Sequence, residues 1–425
     1  MFRKLLLTMV LCLALPALAV AEEAPATIDS GDTAWILIST ALVMLMTPGL
    51  ALFYAGMVRG KNVLGTLMHS FIMLLLISVQ WVLWGYSLAF APDALNGIVG
   101  GLSYFGLSGV GVDPSGTIPH ALFMLFQGTF AIITVALITG AFAERVKFSG
   151  LIIFALLWTT IVYDPLCHWV WGGGWIGAMG ALDFAGGTVV HISSGVSALV
   201  FCIVVGKRKN YPKEHAPPHN LPMTLLGTAL LWFGWFGFNG GSALAADGVA
   251  VVAMVATNTA AAAAGLTWLF VEWIHRGKPT VLGAASGAVA GLVGITPGAG
   301  FVGPMSALII GFGAGLFCYI AVSWLKPKLG YDDTLDVFGI HGIGGIWGAL
   351  ATGLFASIGA EGLFFGNPGQ MVPQIVGVVA TILLAVVATY IILKVVNAIV
   401  GLRVDDESEV MGLDISEHGE SGYTS

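Results

Sequence analysis

Two short stretches, residues 186–199 (GGTVVHISSGVSAL) and 337–350 (VFGIHGIGGIWGAL), decide the fold. Each sets a histidine, His191 or His341, a turn or two inside an apolar helix, with a glycine four residues on, Gly195 or Gly345. Small residues recur on the same face at +3, +4 and +7, a spacing that lets membrane helices approach closely. Taken as equivalent positions, the histidines define a repeat of five spans, residues 33–206 against 222–359. Five is odd, so the halves lie upside down relative to each other. Inverted repeats of this kind place a site near the membrane midplane, between the halves.

The surrounding composition demands a bilayer. Of 425 residues, 57% are apolar or aromatic and only 9% are Asp, Glu, Lys or Arg. A soluble domain carries about 25% charged residues. The mean hydropathy is +0.92, and the 59 glycines are about twice the usual share. A soluble enzyme, a nucleic-acid binder, a disulfide-rich secreted domain and a disordered chain are excluded. An all-α polytopic membrane protein remains.

A helical span needs about 17–25 apolar residues. Eleven stretches qualify, near 33–57, 63–90, 119–142, 149–171, 184–206, 222–244, 249–272, 280–296, 303–325, 338–359 and 371–400. Ahead of them Arg3 and Lys4 precede an apolar run from Leu5 to Leu15, then Pro16 and Ala19-Val20-Ala21 before Glu22. That order is a secretory signal, so residues 1–21 are expected to be cleaved; the competing reading is an uncleaved first helix. Residues 22–402 then form the membrane domain and 403–425 an acidic cytoplasmic tail without a domain of its own.

The cations test the count. Arg59 and Lys61, Arg145 and Lys147, Lys207 to Lys213, Arg276 and Lys278, and Lys326 and Lys328 follow the odd-numbered spans; Lys394 and Arg403 close the last. The intervening loops carry none. Lys and Arg mark the cytoplasmic side, so the N-terminus lies outside and the C-terminus inside. Cys167, Cys202 and Cys318 sit within spans, and no disulfide framework is expected. No nucleotide-binding loop or metal-ligand cluster is visible, and no cofactor is expected.

An ionisable side chain inside a span is costly and faces a cavity or a partner. Two histidines at matching places in inverted halves point to a pair on the pseudo-axis. Neutral imidazole both donates and accepts, so such a pair holds one shared proton. The competing pairing is axial ligation of a haem. His69 is read as mid-span, and His120 and His168 as near the outer surface.

Phe126 and Phe130 are four apart on span three; Trp232, Trp235 and Phe238 share roughly one face of span six, with Ser242 one turn beyond; Trp171 ends span four. Packing or an interfacial belt explains most membrane aromatics, and Trp169 and Trp175 are read that way. An aromatic cluster at an outer mouth beside a hydroxyl also holds a small cation, through ring faces and the Ser242 oxygen. Asp183, opening span five, is read as a cap on free backbone amides that also sets the potential of the outer vestibule. Asp164 precedes Pro165 inside span four, and relay, recruitment and packing all stay open for it.

DFAGGTVVHIS at 183–193, GWFGFNGGSA at 234–243, DVFGIHGIGGIWG at 336–348, PGLALFYAGMVRGKNVL at 48–64 and AFAERVKFS at 141–149 resemble the ammonium transporter family, microbial relatives of the Rhesus proteins. The likeness runs from about residue 33 into the tail GLRVDDESEVMGLDISEHGESGY. It implies a homotrimer in the inner (plasma) membrane with one pore per protomer. By the family's pattern, Phe126, Phe130, Trp171 and Ser242 match the outer recruitment site, and Phe130 and Phe238 the stacked gate. His191 and His341 match the twin histidines of the lumen, Trp235 and Thr296 match pore-lining or vestibule positions, and Asp183 matches a structural and electrostatic aspartate. The implied activity is ammonium uptake: recruitment, deprotonation below the gate, passage of ammonia through an apolar lumen and proton transfer along the histidines. The loop KRKNYPKEHAPPHN and the tail resemble surfaces on which PII signal proteins dock, or else form a charged, solvated loop. An ammonium sensor and an electroneutral ammonia channel are the rival activities.

Overall fold

The computed structural model describes residues 27–213 and 216–423; the expected signal at 1–21 lies outside them. Eleven helices among these residues are long and apolar enough to cross a membrane. They are α1 Ser30–Met57, α2 Gly60–Phe90, α3 His120–Phe142, α4 Phe148–Ala178, α5 Gly187–Val205, α6 Leu221–Ala243, α7 Gly248–Arg276, α8 Val281–Gly298, α9 Pro304–Leu329, α10 Phe338–Phe355 and α11 Pro368–Ile399. The expected spans all recur, with shifted ends. Span four continues past Trp171 through a glycine turn, and α10 stops at Phe355 rather than 359.

Polar side chains set the helix starts. Asp29 accepts from the Asp32 amide, Asn220 from Met223, Asp247 from Val249 and Ala250, and Thr280 from Gly283. Each satisfies amides that a first helical turn leaves free. Glycine then sets how closely helices cross. A Cβ on Gly227 of α6 would sit 2.3 Å from the Phe53 nitrogen of α1, a contact that only glycine permits.

The two halves match in detail. Both α5 and α10 open with a π-helical turn, Gly187–Ile192 and Phe338–Gly342, and each turn carries its half's histidine. The preceding helices α4 and α9 also contain π turns, Thr159–Tyr163 and Ala321–Leu325. Where α5 meets α10, a Cβ on Gly195 would lie 2.1 Å from the Gly342 nitrogen, and one on Gly345 would lie 3.0 Å from the His191 Cβ. The +4 glycines therefore face the partner helix, and they bring the two histidine turns together.

Ion pairs knit the cationic loops into one face. Glu144 binds Arg59 at 2.9 Å and Arg208 at 3.2 Å, and Arg208 also binds Asp332 at 2.9 Å. Burial alone would raise the Glu144 carboxyl, but the two guanidinium groups outweigh it and hold it below its usual range. The tail forms two short helices, α12 Asp406–Met411 and α13 Leu413–His418. It lies pinned to this face: Glu409 binds Arg403 at 2.7 Å and the Lys209 amide at 2.6 Å, and Asp414 accepts from the Gly65 amide at 2.8 Å. His69, expected mid-span, lies near the tail, in a cluster where Phe148 is 6.3 Å from its ring and 5.3 Å from that of His418.

Candidate functional site

An outer cavity of about 340 Å³ is lined by Phe90, Phe123, Gln127, Phe130, Val170, Trp171, Phe184, Ser242 and Leu244. Trp171 stands edge-on to Phe130, with ring centres 6.0 Å apart, and its indole N–H donates to the Asp183 carbonyl at 2.8 Å. The Ser242 hydroxyl donates to the Phe238 carbonyl at 2.8 Å, which leaves its own lone pairs free to accept. Three of the four residues expected here line the cavity. Phe126 does not: it is fully buried behind Phe130, ring centres 5.1 Å apart, and acts as its buttress. Gln127 and Phe184 were not singled out from sequence.

The floor of this cavity is aromatic. Phe130 stacks on Phe238 with ring centres 4.2 Å apart and planes 29° from parallel. Phe238 belongs to a further π turn, Phe236–Gly240; the extra residue rotates it relative to Trp232. Trp235 and Phe238 line the lumen with His191, while Trp232, expected on the same face, does not.

Beyond the stack the lumen narrows to a void of about 10 Å³, about the room for one water-sized molecule. Its walls are Met46, Leu50, Phe53, Ile133, Leu137, Val190, Leu231 and Val289, with Trp235, His191 and His341. The two histidines are 1% and 4% exposed. Their Nδ1 atoms lie 3.2 Å apart, a hydrogen bond that requires one ring to donate and the other to accept. The Nδ1 donor then presents a bare Nε2, and the acceptor ring carries its proton on Nε2. The pair is thus polarised, with an acceptor at one end and a donor at the other. His191 is stacked 5.6 Å from Trp235, whose indole N–H donates to Thr296 Oγ1 at 2.9 Å. Thr296 itself donates to the Leu292 carbonyl, so it orients Trp235 rather than facing the lumen.

Asp183 caps the π turn that carries His191. Oδ1 accepts from the amides of Gly186 at 2.9 Å and Gly187 at 2.6 Å; Oδ2 accepts from the Thr188 amide at 2.8 Å and from its hydroxyl. Burial pushes this carboxyl above its usual range against the pull of those bonds. Its oxygens are occupied by backbone, leaving no free lobe aimed at the outer cavity. Asp333 stands eight residues before His341, as Asp183 stands eight before His191. It accepts from the Phe338 amide at 2.8 Å and is fully buried, with its carboxyl pushed up to about 6. The matching spacing was present in the sequence and went unused. Asp164 is fully buried and accepts from Gln80 Nε2 at 2.7 Å; it lines neither the outer cavity nor the lumen.

On the cationic side, one turn along α8 from Val289, Ser286 borders a further cavity of about 480 Å³ with Glu272, Lys326 and Asp336. Two cavities with polar atoms thus flank an apolar constriction whose polar groups are the paired imidazoles. Such an arrangement penalises a bare ion and admits a small neutral molecule able to hydrogen-bond.

The model of the Ammonium Transporter Family matches residues 34–423. An ammonium transporter of Bacillus subtilis is 57% identical over 401 residues, covering 92% of this chain and 98% of that one. Among solved structures, Candida albicans Mep2 superposes with a TM-score of 0.85 at 38% identity, covering 90% of this chain and 88% of that one. A structure described as "Sensor Amt Protein" superposes with a TM-score of 0.86 at 30% identity, covering 91% and 98%.

Proposed function

This chain belongs to the ammonium transporter family, and from that premise we propose that it takes up ammonium by separating it into ammonia and a proton inside each pore of a homotrimer in the plasma membrane. The observation that carries the reading is the file of rings from Trp171 through Phe130 and Phe238 to His191 and His341. It joins a cation-compatible cavity to an apolar lumen.

Ammonium enters the outer cavity, where the faces of Trp171 and Phe130 attract its charge and the Ser242 oxygen accepts one of its N–H bonds. Potassium meets the same rings but has no N–H to give. At the Phe130–Phe238 gate an intact ion would lose its hydration without receiving a counter-charge, at a cost of several kcal/mol. Ammonium avoids that cost by passing as ammonia and handing its proton to the bare Nε2 of the histidine pair, an escape closed to potassium. Asp183 holds the shape and potential of the vestibule but is engaged with backbone amides, so it is not the proton acceptor.

Ammonia then meets the histidine pair as both donor and acceptor, giving an N–H to the bare Nε2 of one ring and accepting from the Nε2–H of the other. The Nδ1–Nδ1 hydrogen bond relays a proton between the rings, and reprotonation takes place in the inner cavity beside Asp336 and Glu272. Net transfer carries charge. The docked tail and the cationic stretch 207–213 offer a face on which a PII signal protein would block the exit; a pull-down negative under all nucleotide and 2-oxoglutarate conditions would remove that partner.

The test is current from proteoliposomes on a solid-supported membrane. An ammonium jump is expected to give a transient current and a potassium jump none. A silent ammonium jump with internal alkalinisation would replace this reading with an electroneutral ammonia channel. Silence in both measurements would leave a sensor.

A further inference from the structure

His168 sits one turn before Trp171 on α4, fully buried, with both ring nitrogens engaged. Nδ1 lies 3.0 Å from the Ala89 carbonyl at the end of α2, and Nε2 lies 3.2 Å from Asp93 Oδ1 in the outer loop. Both partners are acceptors. A neutral imidazole has one N–H and serves one of them; only the doubly protonated ring serves both. The His168 carbonyl meanwhile accepts from the amides of Gly172 at 3.1 Å and Gly174 at 2.8 Å, which closes the turn directly after Trp171. Gly172 is required there: a Cβ on it would lie 2.0 Å from the Ala89 oxygen and 2.7 Å from His168 Nδ1. Asp93 Oδ1 also accepts from Gly97 at 2.7 Å, and the Gly97 carbonyl accepts from Trp175 at 3.3 Å. Side chain and backbone of one residue thus tie α2, the outer loop and the Trp171 turn together.

We propose that His168 is a positioning residue for the outer ammonium site, a two-donor clamp that fixes Trp171 against Phe130 and couples the site's affinity to outer pH. This rests on the reading of Trp171 as part of the recruitment site. When the ring gives up one proton, either the Ala89 carbonyl or Asp93 loses its donor and the clamp opens on that side. Asp93 is the charged group that faces the ring. The end of α2 that packs on this part of α4 also carries Tyr86, whose hydroxyl is bonded to His120 at 2.6 Å; Asp183 meets this turn through its carbonyl, which accepts from the Trp171 indole.

The experiment measures the ammonium concentration for half-maximal current at a series of outer pH values, with ammonium activity fixed at each. Wild type is expected to need more ammonium as outer pH rises, up to about a hundredfold, the ceiling set by losing one charge-assisted hydrogen bond. His168→Asn keeps one donor at the Nδ1 position whatever the pH, so its profile should be flat at the weaker value. Asp93→Asn removes the counter-charge and should move the wild-type transition to lower pH. Should either variant fail to assemble, the other carries the test alone. Nitrogen NMR of labelled full-length protein should show two protonated ring nitrogens at His168 at acid pH, identified by their loss in His168→Asn. Variants that reproduce the wild-type profile, or a His168 ring with a single N–H throughout, would overturn the clamp. If Trp171→Leu leaves half-saturation unchanged, the recruitment reading fails, while the NMR result still judges the clamp separately.

Discussion

Replacing Gly195 by alanine tests whether the close crossing of α5 and α10 is what builds the histidine pair. The added methyl would lie 2.1 Å from the Gly342 nitrogen and 2.5 Å from its Cα, where ordinary contact begins at 3.4 Å. These are backbone atoms and cannot swing aside, so the helices must part by about 1 Å locally. The Nδ1–Nδ1 distance of 3.2 Å then passes about 4 Å, beyond any hydrogen bond. Overpacking of this kind costs about 1–3 kcal/mol in stability. Its functional effect should be larger, because it would break the proposed relay outright. The pseudo-symmetric Gly345→Ala meets the His191 Cβ and Ile192 Cγ1, both at 3.0 Å, and a few tenths of an ångström relieve it. Ammonium currents from proteoliposomes with matched amounts of intact oligomer should therefore fall at least tenfold for Gly195→Ala and only modestly for Gly345→Ala. Equal currents from both variants, or the reverse order, would refute the reasoning.

Asp183→Ala strips the acceptor from four amides and a hydroxyl at the turn that carries His191, so thermal stability in detergent should drop by on the order of 3 kcal/mol. Asp183→Asn, which keeps one acceptor oxygen, should lose less, and unchanged stability in both would refute the cap. Phe238→Ala removes the ring that lies 4.2 Å from Phe130 and 6.1 Å from His191. Outer cavity and lumen should merge, with about 3 kcal/mol lost and ammonium no longer preferred over potassium; retained preference would exclude the stack as the gate. At Asp333 the folded carboxyl titrates near 6 against an ordinary 3.8, because burial outweighs the attraction of Lys326. The folded state thus favours the protonated form: this group's contribution is complete below about pH 4 and is lost as pH rises through about 6. Thermal unfolding across that window should flatten in Asp333→Asn, and an unchanged slope would contradict the assignment.

Much of this architecture was legible because a bilayer imposes it. Eleven apolar runs and alternating cations leave one topology, and the +4 glycines beside His191 and His341 mark the crossing of the two halves. The π turns were not legible. They add one residue to a helix without altering its apolar pattern, so an even 3.6-residue period put Trp232 on the face of Phe238, and the extra residue rotated it away. Phe126 was misplaced for a related reason: i, i+4 spacing puts two rings on one face but does not say which of them faces the cavity and which lies behind. Asp333 was missed because a carboxylate in a polar loop looks solvated, and only its spacing from His341 matches the buried Asp183. The tail's docking depends on partners such as Asn62, Gly65 and Phe148, far away in the chain, and nothing local announces it.

The claim at the centre is that ammonium is selected by losing its proton to a path through His191 and His341. Currents evoked by ammonium and potassium jumps in wild type and in the double variant His191→Ala, His341→Ala test it most directly. The account predicts ammonium current without potassium current in wild type, and in the double variant either loss of the ammonium current or entry of potassium. Unchanged ammonium current with unchanged exclusion of potassium would contradict it.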